Sequence, residues 1–133
     1  MGRWTLVVPG KPVPCGRPRV SSGGHAYMPE ATRKYERRVR RMASGVFGAP
    51  LQGKVRVRVL FVLPDRIRRD VDNLLKSVMD GLNGIAFEDD SQVVSSTVGK
   101  VVRRGQGKAV VVVETLGDGW EEEELWAMAE EAA

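Results

Sequence analysis

Hydrophobic and polar residues alternate with a period of two in the segments Arg3 to Pro9 and Lys54 to Leu63. Two later segments, Val93 to Val102 and Ala109 to Leu116, are rich in valine and are separated by a polar turn at Arg103 to Lys108. A two-residue period and β-branched side chains are typical of strands. The pattern therefore predicts four strands, the last two joined by that turn.

Two other segments repeat their apolar residues about every 3.6 positions, as an amphipathic helix does. The first predicted helix covers Glu30 to Ser44. The second covers Asp72 to Asn83, with Asp72 as its N-cap, Ser77 on its polar side and Gly84 in a left-handed stop. The predicted apolar stripes are Ala31, Tyr35, Val39, Met42 and Val46 in the first helix, and Leu74, Leu75, Val78, Met79, Leu82 and Ile85 in the second.

Two helices among four strands predict an α+β fold, in which one sheet carries both helices on one face. A chain of 133 residues is long enough for one core and too short for two. We therefore expect a single small domain over residues 1–117 and an acidic tail over residues 118–133, with helical composition from Trp120 onward. The Pro-, Gly- and Ser-rich stretch from Gly10 to Pro29 is predicted to be a loop.

The net charge of +4 conceals an uneven distribution of charged residues. Residues 1–117 contain all 21 Lys and Arg against 10 Asp and Glu, a net charge of +11, whereas residues 118–133 contain 7 acidic residues and no basic one. A body this basic favours a polyanion such as nucleic acid as its partner. The tail has the opposite charge and would oppose a DNA-binding face.

Basic residues are concentrated at three places that we expect to contact DNA phosphates. The first predicted helix carries six of them, Arg40 included, opposite its apolar stripe. Two more lie in the Gly10 to Pro29 loop, which we expect to be a flexible arm that becomes ordered on DNA. The residues predicted to bind DNA are Arg33, Lys34, Arg37, Arg38 and Arg41 of the helix, Arg17 and Arg19 of the arm, and Arg68 and Arg69 before the second helix.

Carboxylates cluster around the second helix. Asp70 and Asp72 are two positions apart, so their side chains share a face if the chain is extended there. Lys76 and Asp80 follow at one-turn intervals on the polar side of the helix. The chain then returns to the doublet Asp89–Asp90 just before a strand, where a carboxylate can close a site opened by the first two. Carboxylates beside a lysine on a basic chain are typical of a hard-metal site that faces phosphate.

Each acidic group also has a structural interpretation. Asp72 is a suitable helix cap, Asp80 is placed to pair with Lys76 on the helix surface, and Asp89–Asp90 is compatible with an ordinary acidic turn. We favour one shared metal site, because otherwise three separate explanations are needed.

The ligand types in the sequence favour a hard metal. Cys15 is the only cysteine and excludes a cysteine-based zinc site, and His25 is a lone histidine in a Ser/Gly loop. The remaining oxygen ligands favour Mg²⁺, with Mn²⁺ as a substitute.

Several motifs in the chain match one known pattern, which reads DxDN, a lysine three positions on, D-x-L and then DD-x-Q-[IV]. The matching residues are Asp70-Val71-Asp72-Asn73, Lys76, Asp80-Gly81-Leu82 and Asp89-Asp90-Ser91-Gln92-Val93. Upstream stand Gly10-Lys11-Pro12-Val13-Pro14, Arg17-Pro18-Arg19-Val20, Tyr27-Met28-Pro29 and Thr32-Arg33-Lys34-Tyr35-Glu36. In these motifs the chain resembles the RusA family of Holliday junction resolvases, and its amino-terminal half is similar to phage and prophage members. The resemblance covers about residues 3–116 and leaves the tail unexplained.

The resemblance implies a small homodimeric, magnesium-dependent endonuclease with a mixed four-stranded sheet. Such an enzyme cuts four-way DNA junctions by paired symmetric nicks, in DNA recombination and repair. The resemblance also implies that Asp70, Asp72 and Asp90 are catalytic and hold the metal, and that Lys76 is the essential lysine. The neighbours expected to support these residues are Asp89, Asp80 and Asn73.

Two other functions stay open at the level of sequence. The same acidic residues would serve a metal nuclease that cuts flaps or other branched DNA, and the basic helix would serve a non-catalytic nucleic-acid-binding protein. No apolar run reaches the length of a membrane span, and no signal peptide is recognisable. We therefore expect no membrane partner and a cytoplasmic, nucleoid-associated protein of bacterial or phage origin.

Overall fold

The computed structural model describes residues 2–117 and 120–132. Its elements, in chain order, are β1 (Arg3–Pro9), β2 (Arg19–Val20), β3 (Ala26–Tyr27), α1 (Glu30–Ser44), β4 (Val55–Leu63), α2 (Val71–Leu82), β5 (Val93–Val102), β6 (Lys108–Thr115) and α3 (Trp120–Ala132). A 3-10 turn, Asp90–Gln92, precedes β5. Residues 118, 119 and 133 of the predicted tail lie outside the described residues.

The main sheet has the strand order β1-β6-β4-β5. Strand β6 pairs antiparallel with both β1 and β4, whereas β4 and β5 pair parallel, with a register that runs from Val55↔Val93 to Leu63↔Val102. A parallel pair needs a crossover connection, and α2 supplies it. The fold is therefore α+β with a mixed four-stranded sheet, which confirms the predicted fold class.

The core lies between the sheet and the helices α1 and α2. Alternate residues of β4, among them Val57 and Phe61, point to this side and are fully buried, because side chains alternate across a strand. Leu74 and Val78 of α2 meet them there. The opposite face of the sheet is more open: Leu60 is exposed.

The loop between Gly10 and Pro29 differs from the flexible arm that its composition predicted. It contains the two-stranded hairpin β2–β3, whose closing turn has hydrogen bonds of 2.9 Å from the N–H of Ser21 to the carbonyl of His25 and from the N–H of Gly24 to the carbonyl of Ser21. Gly24 has a φ of +81°, a value that glycine adopts without strain. Local turn chemistry therefore orders this segment before any DNA is bound.

The buried stripe of α1 is rotated relative to the prediction. It consists of Thr32, Tyr35, Val39 and Ala43, whereas Ala31 is exposed. Thr32 can be buried because its hydroxyl accepts a hydrogen bond of 3.0 Å from the N–H of Gly16. Hydrophobicity alone predicts that Ala31 is buried, but Thr32 is buried instead because its hydroxyl has a hydrogen-bond partner in the loop.

Helix α2 also departs from its prediction at two points. It begins at Val71, with Asp70 as an extended N-cap (φ −78°, ψ 135°), so Asp72 lies in the first turn and not at the cap. Ser77, predicted on the polar side, is fully buried, since its hydroxyl donates a 2.7 Å hydrogen bond to the carbonyl of Val13. The loop after β1 therefore packs along α2.

Helices α1 and α2 pack closely at Gly81. A Cβ on Gly81 would lie 2.6 Å from the Cβ of Val39 and 3.1 Å from the carbonyl oxygen of Glu36. The glycine that weakens the helix in isolation is thus required for packing. The left-handed stop after α2 is confirmed, as Gly84 has a φ of +83°.

Helix α3 makes little contact with the rest of the described chain. Glu124 pairs with Arg56 of β4 at 3.4 Å, while Leu125, Trp126 and Met128 are exposed. Docking of the tail's apolar residues on the body is therefore not observed for the residues described. None of the described helices combines the length and apolarity needed to cross a membrane.

Candidate active site

The segment that leads from β4 into α2 is held by one buried arginine. Arg69 is 6% exposed, and its guanidinium donates to both carboxylate oxygens of Asp65, at 2.7 and 3.3 Å. These hydrogen bonds hold the pKa of Asp65 below its usual range. Lys100 of β5 donates a 2.6 Å hydrogen bond to the carbonyl of Arg69. The prediction that Arg69 contacts DNA is therefore wrong: its side chain is buried and orders the loop, whereas Arg68 is exposed.

This ordered loop places two of the predicted metal ligands at the start of α2. Asp70 makes no capping hydrogen bond, and its carboxylate lies 3.8 Å from the exposed Arg68 guanidinium. Asp72 is exposed, and its Oδ1 accepts a 3.0 Å hydrogen bond from the N–H of Asn73. Both carboxylates lie at the positive end of the helix dipole. The first turn of α2 thus presents two solvent-facing carboxylates that a cation can reach.

Lys76 follows Asp72 by one helical turn, but it pairs with the residue one turn after it and not with Asp72. Its Nζ donates a 2.9 Å hydrogen bond to Oδ2 of Asp80, one turn further along. The ligand atoms of Asp80, Glu36 and Cys15 all lie within 4.8 Å of one another. No local motif indicates this cluster, because Cys15 and Glu36 come from other parts of the chain.

The two members of the acidic doublet have different environments. The carboxylate of Asp89 accepts a 3.0 Å hydrogen bond from the N–H of Ser91 and forms a capping box with Gln92, so its pKa is lowered. The carboxylate of Asp90 has no hydrogen bond or ion pair with any described residue. Of the two, Asp90 is therefore the one whose carboxylate has both oxygens available to a cation.

Within one chain, the fold separates Asp90 from the other two predicted ligands. Because β4 and β5 are parallel, α2 runs back along them from the end where β4 finishes to the end where β5 begins. Asp70 and Asp72 lie at the first end and Asp90 at the second, roughly 18 Å apart by the length of a 12-residue helix. Among the described residues, Asp70, Asp72 and Asp90 are accordingly not grouped within 4.8 Å.

The predicted DNA-binding residues lie mostly on the surface. Lys34, Arg37, Arg38, Arg40 and Arg41 of α1 line a shallow depression of about 590 Å³. Arg33 is exposed on the same helix, and Arg17 and Arg19 are exposed at the start of the hairpin. Three of these arginines have contacts within the chain as well: Arg37 pairs with Glu30 (2.9 Å), and the guanidiniums of Arg38 and Arg40 donate to the carbonyls of Pro9 (3.2 Å) and Asp80 (3.1 Å). Contact of these basic residues with a phosphate backbone stays a prediction.

Comparison with known proteins identifies the family. A family model described as Endodeoxyribonuclease RusA matches residues 9–114, most of the chain, so the chain belongs to the RusA family. A crossover junction endodeoxyribonuclease RusA of Escherichia coli O139:H28 (strain E24377A / ETEC) is 34% identical over 104 residues, which cover 77% of this chain and 81% of that protein. The protein of the same name from Escherichia coli (strain K12) is 32% identical, and that of Enterobacteria phage 82 is 31% identical, both over the same shares of the two chains.

Among solved structures, the chain aligns with the GDP-bound monomer of CetZ1 from Haloferax volcanii. The TM-score is 0.39 at 15% identity, with 98% of this chain and 34% of the other covered. A similarity at this level supports no inference.

Proposed function

We propose that this protein is a divalent-metal-dependent endodeoxyribonuclease that resolves four-way (Holliday) junctions by paired symmetric nicks, in DNA recombination and repair. The observation that carries the proposal is the start of α2, where Asp70 and Asp72 are exposed one turn before Lys76 in a chain of the RusA family. The relatives named crossover junction endodeoxyribonuclease support the same activity here. We expect it to act in the cytoplasm, at the nucleoid.

The carboxylates fit a hard cation. Asp70, Asp72 and Asp90 offer oxygen ligands only, and all three are exposed. Mg²⁺ prefers such ligands and Mn²⁺ accepts them, so Mg²⁺ is the proposed cofactor. When bound, a divalent cation lowers the pKa of the water that it holds and offsets charge on the phosphate.

The other residues would bind and orient the substrate. Lys76 supplies a positive charge one turn from Asp72, where it can stabilise the negative charge that develops on the scissile phosphate. The basic surface of α1, with Arg17 and Arg19 of the hairpin, would hold the DNA backbone through phosphate contacts. Without a cation, the clustered carboxylates repel DNA, so metal removal should abolish cutting while phosphate-mediated binding persists.

A second copy of the chain would complete the acidic site. Asp90 is at the far end of α2 from Asp70 and Asp72, so a site that uses all three needs Asp90 from elsewhere. Paired symmetric nicks also require two sites related by symmetry. We therefore propose a homodimer in which each metal site combines Asp70 and Asp72 with the partner subunit's Asp90.

The free edge of β5 is a suitable surface for this dimer. Strand β5 is ten residues long and lies at the edge of the sheet, with nothing in the described part of the chain paired to its outer side. Such an edge is a template for pairing with another strand. Antiparallel pairing of two β5 strands about a twofold axis near Thr97 places the start of each beside the end of the other. The partner's Asp90 would then lie at the end of the sheet that carries Asp70 and Asp72.

One assay tests the function and its alternatives. The purified protein is incubated with Mg²⁺, or with EDTA, and a labelled mobile four-way junction, a flap or linear duplex. We expect symmetric paired cuts in the junction, none with EDTA, and little cutting of duplex. Equal cutting of flaps would instead indicate a general branched-DNA nuclease, and binding without cutting in Mg²⁺ and in Mn²⁺ would indicate a non-catalytic binding protein.

A further inference from the structure

The cluster around Lys76 brings together groups from three parts of the fold. Cys15 belongs to the loop after β1, Glu36 to α1 and Asp80 to α2, and their ligand atoms lie within 4.8 Å of one another. Burial raises the pKa of Glu36, and the neighbouring Asp80 raises it further. The ammonium of Lys76, 2.9 Å from Asp80, brings positive charge to this group, and the hydrogen bond to Asp80 raises the pKa of Lys76. The cluster therefore has a cation, the Lys76 ammonium, beside its two carboxyl groups.

Asp80 lies in the part of α2 that packs against α1. Its carbonyl accepts a 3.1 Å hydrogen bond from Arg40, whose guanidinium also reaches the carbonyl of Asn83 at 3.4 Å. The next residue, Gly81, packs closely against Val39 of α1. The backbone of Asp80 is thus held against α1, and its carboxylate pairs with Lys76 from that position.

Lys76 has two carboxylates within reach by spacing alone. Asp72 precedes it by four residues and Asp80 follows it by four, and both spacings bring side chains together on a helix. The lysine pairs with Asp80, while the Asp72 carboxylate makes no ion pair with any described residue. Pairing with Asp80 therefore leaves Asp72 available to a metal.

We infer that Asp80 is a positioning residue for Lys76: it holds the ammonium one turn away from Asp72, so that Asp72 stays open as a metal ligand. The inference rests on the proposed function, because it assumes the roles of Asp72 and Lys76 there. In the absence of the Asp80 carboxylate, Lys76 swings to Asp72 and competes with the metal. The result is weaker metal binding and a misplaced positive charge.

The experiment compares Asp80→Asn, Asp80→Glu, Lys76→Met and the Asp80→Asn/Lys76→Met double variant, with Mn²⁺ affinity measured by electron paramagnetic resonance on the full-length protein. We expect Asp80→Asn to weaken Mn²⁺ binding by about twofold, the extent to which an exposed Lys76–Asp72 ion pair would compete with the metal, and to slow junction cutting. Asp80→Glu keeps the carboxylate and should restore most of both. Glu130→Gln, which removes an exposed carboxylate of α3, is the charge-matched control and should change neither.

The double variant separates positioning from direct ligation. In the Lys76→Met background the competing ammonium is absent, so adding Asp80→Asn should leave Mn²⁺ affinity unchanged. A further loss there would mean that Asp80 binds the metal itself, and unchanged Mn²⁺ affinity in the single variant would mean an ordinary surface ion pair; either result overturns the inference. A fall in melting temperature of more than about 2 °C in Asp80→Asn would likewise indicate a structural role. Failure of the wild-type protein to cut junctions refutes the proposed function, whereas the Mn²⁺ measurements judge the inference separately.

Discussion

The adjacent carboxylates of Asp89 and Asp90 differ in their hydrogen bonds. Asp89 uses its side chain to cap the 3-10 turn through Ser91 and Gln92, whereas the side chain of Asp90 is free among the described residues. At the level of sequence, only the family resemblance indicated that Asp90 and not Asp89 is the metal ligand. The unpaired Asp90 carboxylate is compatible with that role, and Asp90 as a metal ligand stays a prediction.

Neutralising single carboxylates tests the assignment. Asp70→Asn, Asp72→Asn and Asp90→Asn should each abolish junction cutting in Mg²⁺, because each removes a charged ligand. Junction binding, measured by gel shift, should persist or tighten, since negative charge facing phosphate is lost. Asp89→Asn should keep most of the activity, because asparagine also caps helical turns. An inactive Asp89→Asn beside an active Asp90→Asn would reverse the assignment within the doublet.

At the scale of whole elements, the packing of α1 on α2 determines where the side chains of the site stand. Gly81 allows the two backbones to approach at Val39, and Arg40 then reaches the last carbonyls of α2. The same contact brings Glu36 to Asp80. A change at this contact would therefore alter both stability and the cluster around Lys76.

Gly81→Ala should destabilise the protein even though alanine is the better helix former. The new Cβ would lie 2.6 Å from that of Val39, and such overpacking costs about 1–3 kcal/mol, more than the gain of about 1 kcal/mol in helix propensity. Urea unfolding measures the difference.

Gly45→Ala is the matched control for this substitution. Gly45 has a φ of −77°, and its added Cβ would be 3.5 Å from the nearest atom outside its chain neighbours, the carbonyl oxygen of Met42. We expect a gain of about 0.4–1 kcal/mol there. If Gly81→Ala were instead more stable than the wild-type protein, α1 and α2 would be packed less tightly at Gly81 than these distances indicate.

At the scale of the whole molecule, the parallel pairing of β4 and β5 separates Asp90 from Asp70 and Asp72, so the metal site that we propose would be shared between two copies of the chain. A mixture of the Asp72→Asn and Asp90→Asn proteins tests this. In a heterodimer, one composite site carries both substitutions and the other carries neither. Each inactive protein should therefore recover nicking when the two are mixed and allowed to exchange subunits, seen as single nicks in labelled junctions. If each site were built within one chain, both sites of the heterodimer would be defective and the mixture would stay inactive.

The edge of β5 can be tested as the dimer surface with Thr97→Lys. Two lysines brought together near the twofold axis repel each other, as charges on natural edge strands do. Sedimentation equilibrium should show a shift toward monomer, and cutting should fall with it. Thr5→Lys on β1, the opposite edge strand of the sheet, is the matched control and should leave the dimer intact. An unchanged dimer in Thr97→Lys would place the interface elsewhere.

The acidic tail should weaken non-specific DNA binding. Its seven acidic residues, with the ion pair between Glu124 and Arg56, place negative charge beside the basic body, while Leu125, Trp126 and Met128 are exposed. Deletion of Gly119 to Ala133 should tighten duplex affinity at low salt, and the difference should narrow as salt screens the charges. The melting temperature should change little. Loss of the dimer or of the melting transition would instead mean that the tail is a packing element.

The sequence by itself determined the four long strands, the helices α1 and α2, and the residue types available to a site. The ranges of α1 and β5 match their predictions, because short alternating and 3.6-residue patterns reflect local burial. The α+β class and the RusA family were also recognisable, since motifs such as DxDN and DD-x-Q keep reactive residue types at fixed spacing. These properties depend on residues close together in the chain.

Only the tertiary structure decided which of these residues meet. Arg69 changed from a DNA contact to a buried partner of Asp65, and Ser77 changed from a surface residue to a buried donor, because hydrogen bonds with other segments stabilise polar groups in the interior. The direction of β5 relative to β4 separated Asp90 from Asp70. Strand direction and long-range hydrogen bonds depend on contacts between distant parts of the chain, which local periodicity does not encode.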